Sequence, residues 1–120
     1  MWAFVERRRC KRYRVEWNAS LHCVFSGCEE DLHVRVMEAS LTGARLALDR
    51  LQIGPYHLVV GNSHPDFKLS ILLPEGLFMS SIGICWYNWE EDERYFAVGI
   101  EFLGLEKEGR NLLEKAVKNL

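Results

Sequence analysis

From Val15 to Phe25, apolar side chains occupy the odd positions Val15, Trp17, Ala19, Leu21, Cys23 and Phe25, with Glu16, Asn18, Ser20 and His22 between them. A period of two marks a strand with one buried and one wetted face. Ser26 to Asp31 reads as a turn around Gly27. Leu32, Val34 and Val36 then alternate with His33, Arg35 and Met37 to make a second strand. The stretch Glu38-Ala39-Ser40-Leu41-Thr42-Gly43 breaks the pattern, and Ala44, Leu46 and Leu48 resume it against Arg45 and Ala47. A tight connection between two strands is predicted there.

Beyond Pro55, Tyr56 to Val60 reads as a short strand, and Gly61 to Asp66 is rich in turn formers. Phe67 to Leu73 is predicted as a strand, Pro74-Glu75-Gly76 as a turn, Met79 to Trp89 as a long strand, and Arg94 to Leu103 as another. Glu90-Glu91-Asp92-Glu93 between the last two reads as a solvated hairpin tip. Only the last segment has helical spacing: Leu105, Leu112, Leu113, Ala116, Val117 and Leu120 can share one face, opposite a charged one. About six strands followed by one amphipathic helix predict a mainly all-β domain. The expected architecture is a closed or nearly closed antiparallel barrel, with the C-terminal helix plugging or flanking it.

At 120 residues, 48% hydrophobic and 27% charged, the chain suits a single globular domain that needs neither metal nor disulfide to hold its core. Charge changes the picture more. Arg7, Arg8, Arg9, Lys11, Arg12 and Arg14 crowd into one short run, and the remaining nine Lys and Arg face 17 Asp and Glu. A basic arm on an acidic body is a local anion trap, so the expected partner is small and multiply charged. Guanidinium is a planar fork that can grip phosphate, bond the edge of guanine or stack on a base. Residues 1–14 are thus predicted to be a flexible basic arm, and 15–120 a single barrel domain.

Other function classes have little to stand on. Trp2-Ala3-Phe4-Val5 precedes the basic run and is too short for a signal peptide. No window approaches the ~20 apolar residues of a membrane span, so no membrane insertion and a cytoplasmic location are expected. Cys10, Cys23, Cys28 and Cys85 match no zinc template and are expected as free thiols. His22, His33, His57 and His64 are scattered, so no metal centre is expected. No nucleophile elbow, HExxH, phosphate-binding loop or paired-carboxylate motif points to an enzyme. The acidic body argues against DNA or RNA as the main partner.

Four short motifs then fall in order: Arg8-x-x-x-Arg12, Glu38-x-Ser40-x-x-Gly43, Gly83 followed by Trp86, and Val98-Gly99-Ile100-Glu101-Phe102 before the terminal helix. In this order the chain resembles the PilZ domain, the bacterial cyclic di-GMP receptor module, from Glu6 to Leu120. The resemblance implies a six-stranded antiparallel barrel whose N-terminal arm folds over the ligand. It also implies that Arg8 and Arg12 hold phosphate and guanine, and that Ser40 and Gly43 belong to the guanine-binding turn. Glu38 stands where the family has Asp or Asn; its extra methylene pushes the same two acceptors outward by roughly 1–1.5 Å. Arg7 and Arg9 are expected to grip the second phosphate or base, and Trp86 to lie beside a base as a stacking plane. The expected function is a receptor in which cyclic di-GMP orders the arm and alters a surface for an effector protein. The alternative is a degenerate adaptor that binds a protein without nucleotide.

Overall fold

The computed structural model describes residues 11–61 and 65–120. Among these residues eight strands and a helix follow one another: β1 (Tyr13–Phe25), β2 (Cys28–Ala39), β3 (Gly43–Leu48), β4 (Gln52–Ile53), β5 (Tyr56–His57), β6 (Asp66–Leu73), β7 (Gly76–Glu90), β8 (Tyr95–Leu103) and α1 (Lys107–Lys118). Six of them close into a barrel in the order β1-β2-β3-β8-β7-β6, every neighbour antiparallel. The predicted barrel and its C-terminal helix are therefore the observed fold.

The alternating positions of the sequence fill the interior. Leu21, Cys23, Val34, Val36, Leu46, Leu48, Leu69, Ile71, Phe78 and Val98 are all nearly inaccessible and form one core. Burying a side chain of this size is worth about 1.5–3 kcal/mol, so the strand phase set by the alternation is held firmly. From α1, Leu113 and Ala116 join this core and Leu112 packs against it, as does Leu105 just before the helix. The apolar helix face was read one residue too far, however: Leu120 lies past the last turn and is 64% exposed.

Other boundaries also shift. β1 begins at Tyr13, which takes Arg14 into the strand, opposite Glu38. The apolar run after Pro55 makes only a two-residue strand, because Gly54-Pro55 turn it back on Gln52–Ile53 and Leu58 turns inward. Gly54 holds a positive φ of 57° in that turn, a conformation glycine adopts without strain. Glu91, Asp92 and Glu93 form an exposed hairpin tip as expected, closed by Arg94 at φ 59°.

The regular ladder slips in three places, between Arg14 and Trp17, between Val36 and Glu38, and between Ile84 and Trp86. Such bulges re-aim side chains and increase local twist. All three lie beside one patch of the outer surface.

No helix among the described residues is long and apolar enough to cross a membrane.

Candidate functional site

The turn between β2 and β3 is organised by one hydroxyl. Ser40 Oγ accepts the N–H groups of Thr42 and Gly43, each at 3.2 Å, and lies 3.3 Å from the Gly43 carbonyl. The Ser40 N–H itself donates to the Gly43 carbonyl at 2.9 Å, and Phe102 N–H to the Thr42 carbonyl at 2.9 Å. Ser40 thus caps the backbone of this turn. Gly43 is not among the glycines at positive φ. Its side chain is forbidden because a Cβ there would collide with the carbonyl oxygen of Ile100 on β8.

Past this turn, Glu38, Arg45, Gly99 and Trp86 lie in register across β2, β3, β8 and β7. Flanking residues Ala39, Ala44, Val98 and Ile100 turn inward, which leaves this row on the outside of the barrel. The bulges before Glu38 and Trp86 bring them there: Leu32, Val34 and Val36, and then Phe78, Ser80 and Ile82, set an even-numbered inward phase that would otherwise include both residues. The Trp86 indole lies across Gly99, where any Cβ would strike its ring atoms. One indole side covers backbone while the residue remains 47% exposed.

These groups line an open pocket of about 610 Å³ that also includes Arg12, Ala39, Ser40, Thr42, Gly43, Cys85 and Glu101. Its charges are balanced. Arg12 Nη1 lies 3.6 Å from Glu38 Oε1, with the guanidinium well exposed and the carboxylate mostly shielded. Arg45 Nη2 lies 3.4 Å from Glu90 Oε1, both partly exposed. Exposed ion pairs of this kind are worth roughly 0–1 kcal/mol, so a better anion can displace either carboxylate.

Of the residues singled out in the sequence, the structure gathers Arg12, Glu38, Ser40, Gly43 and Trp86 into this one pocket. Arg7, Arg8 and Arg9 lie outside the described residues, as does most of the arm. Two charged pocket residues, Arg45 and Glu101, were not assigned to the site from the sequence. Arg45 had a usable signal, as the one charge between the inward residues Ala44 and Leu46. Glu101 was visible as a charge in an apolar strand, but only the sheet register places it beside Gly43 and Gly83.

Elsewhere the chemistry is structural. Cys23 and Cys28 are free thiols, and Cys23 is fully buried. Burial pushes the Cys23 thiol up to about 12, so it stays protonated and unreactive. His22 Nδ1 lies 2.7 Å from Asp31 Oδ1 and Nε2 3.0 Å from Glu29 Oε1, so both ring nitrogens can donate to a carboxylate when the imidazole is protonated. Those two bonds raise its pKa above the ordinary value, Asp31 most strongly.

No family model matches the chain, and no curated protein matches it. Solved structures do. The PilZ domain of YcgR from Escherichia coli, solved with c-di-GMP, superposes with a TM-score of 0.65 over 95% of this chain and 91% of that one, at 17% identity. The chain has a PilZ-like fold. The inhibitor of motility MotI/DgrA from Bacillus subtilis aligns with a TM-score of 0.69 at 14% identity. That match covers 94% of this chain but 50% of the Bacillus protein, so the PilZ-like barrel spans half its length. The six-stranded closure and the terminal helix are those of the PilZ-like barrel expected from the sequence.

Proposed function

We propose that this PilZ-like domain is a receptor for cyclic di-GMP that passes the binding signal to an effector protein in the cytoplasm. The observation that carries the reading is the convergence in one pocket of Arg12, Glu38, the Ser40–Gly43 turn and an exposed Trp86. The ligand has two phosphates and two guanines, and these residues supply what it needs. Arg12 and Arg45 are cationic forks, Glu38 offers two acceptors for a guanine edge, and Trp86 offers a plane. Base stacking on such a plane is worth roughly 1–3 kcal/mol. Arg7, Arg8 and Arg9 precede Arg12 on the same arm and complete the phosphate and base contacts. Ligand binding draws Arg12 off Glu38, orders the arm over the pocket, and creates the surface the effector reads. In this reading the domain is a receptor, with no bond made or broken.

Isothermal titration with cyclic di-GMP, against GTP and cyclic GMP, tests this. Selective heat with cyclic di-GMP is the expected result. Arg8→Ala and Arg12→Ala should each weaken binding by about 5- to 150-fold, the equivalent of 1–3 kcal/mol per bidentate contact. Parent-like affinity in both variants would remove the arm from the site.

One observation favours a second reading. Glu38 is longer than the Asp or Asn it replaces and is already held by Arg12, the arrangement of a site that has closed on itself. A degenerate adaptor would bind its protein partner but give no heat with any of the three nucleotides.

A further inference from the structure

β7 outruns its neighbour. It pairs with β6 only from Gly76 to Ile82, and from there to Glu90 its ladder is with β8 alone among the described residues. From Tyr87 to Trp89, one edge of this ribbon has no strand beside it among the described residues. An unpaired edge presents a row of backbone donors and acceptors, the template for adding a further strand. Native edges are commonly guarded by Pro, inward charges or very short length. This one is short, but it carries Tyr87, Asn88 and Trp89 in place of Pro or a charge.

The face beside that edge is apolar. Tyr87 and Trp89 point the same way, two residues apart, and are 42% and 41% exposed. Trp89 packs on Phe96 with ring centroids 4.8 Å apart, and Tyr87 on His57 at 5.8 Å. His57 Nδ1 in turn accepts the N–H groups of Val59 and Val60 at 3.0 and 2.9 Å, and Val60 is 60% exposed. A continuous strip therefore runs from Val60 through His57 and Tyr87 to Trp89 and Phe96. It ends at the exposed acids Glu91, Asp92 and Glu93, where the Trp89 indole N–H donates to Glu91 Oε2 at 2.7 Å.

We infer that this edge is the docking site for an extended segment of a partner protein. The segment adds antiparallel to β7 at Tyr87–Trp89, lays apolar side chains from alternate positions on the strip, and carries Lys or Arg at its N-terminal end. Antiparallel addition continues the pattern of the whole barrel and brings the start of the segment to the acidic tip. Charge complementarity there chooses the partner's sign, and backbone pairing chooses its extended form. This face looks inward over the barrel mouth, whereas Trp86 on the same strand turns outward into the pocket, so the inference holds whether or not cyclic di-GMP binds.

The test uses the full chain and a short synthetic peptide, acetyl-Lys-Arg-Val-Thr-Val-Thr-Val-amide, followed by backbone and indole NMR shifts. Shifts centred on Tyr87, Trp89 and Val60 are expected. They should vanish with an analogue carrying Pro-Pro at its centre, which cannot complete the ladder. Asp92→Lys with Glu93→Lys, both on the exposed hairpin tip, should weaken the peptide by roughly threefold to tenfold and favour a Glu-Glu analogue instead, with the parent's Tm retained. Shifts confined to Glu38, Arg45 and Trp86, equal binding of the Pro-Pro analogue, or no shift at millimolar peptide would overturn the inference. So would an oligouridylate that moves the same resonances more strongly than the peptide, since that would make the strip a base-stacking surface.

Discussion

Two glycines on the pocket floor look alike in sequence and differ in what confines them. A methyl on Gly43 would meet the Ile100 carbonyl, which is backbone of a central strand and cannot step aside. Gly43→Ala is expected to cost about 1–3 kcal/mol, seen as a lower Tm in a thermal melt. A methyl on Gly99 would meet only the Trp86 side chain, which can rotate away into solvent. Gly99→Ala should therefore leave stability within about 1 kcal/mol while removing the stacking plane, with cyclic di-GMP affinity falling about 5- to 150-fold. Unchanged affinity with a displaced indole would show that Trp86 is no platform. Position 38 gives a companion series. Glu38→Asp should hold or tighten the ligand, because the shorter acid restores the family reach and loosens its hold on Arg12. Glu38→Ala should weaken it by leaving guanine donors unpaired. If Ala binds as tightly as Glu, Glu38 is no part of the ligand site; if Ala binds more tightly, the Arg12–Glu38 pair is a barrier to the ligand.

At the scale of elements, α1 has one strong end and one weak one. Leu113 is fully buried in the barrel core, so Leu113→Ala should cost about 2–5 kcal/mol, measured by urea titration. Leu120→Ala, beyond the helix in solvent, should fall within about 0.5 kcal/mol of the parent. The N-terminus is under-capped: Glu106 has the extended backbone of a cap, φ −76° and ψ 161°, but its side chain makes no capping bond. Glu106→Ser is expected to add about 0.5–1 kcal/mol in the same titration, and a loss would mean that Glu106 has another use at the barrel end. The helix and the inward strand phases were legible because burial imposes a period that local sequence must obey. The bulges were not, since a single slipped residue leaves no mark until the partner strand is known.

For the molecule as a whole, two groups make stability depend on pH. Cys23 keeps its proton to about pH 12 when folded, against an ordinary thiol value of 9.0. The unfolded thiol ionises first, so stability is lost as pH rises above about 9 and continues to fall towards 12. Tm measured from pH 7 to the edge of that window should decline, and Cys23→Ala should flatten the decline. His22 has a raised folded pKa, so its contribution is complete below its ordinary 6.5 and fades as pH climbs through the raised value. Being in solvent, it should give a much shallower slope, and His22→Gln should leave the alkaline limb unchanged.

Much of this protein was determined by the sequence alone. The period-two runs specify which faces of β1, β2 and β3 turn inward, because a one-residue slip would expose a whole row of apolar groups. The helical spacing of Leu113, Ala116 and Val117 specifies α1, and the charge asymmetry sets a basic N-terminal run against an acidic remainder. The motif order was sufficient for the PilZ-like barrel. Tertiary structure decided the rest. Trp86 and Glu38 share the parity of core residues in their own strands, and only the register slips against β8 and β3 carry them to the outer surface. Gly43 and Gly99 are dictated by atoms more than forty residues away or on a neighbouring strand, Ile100 and Trp86, which no local pattern contains. The open edge at Tyr87–Trp89 exists because β7 is longer than β6, and strand length relative to a partner is a property of the pair.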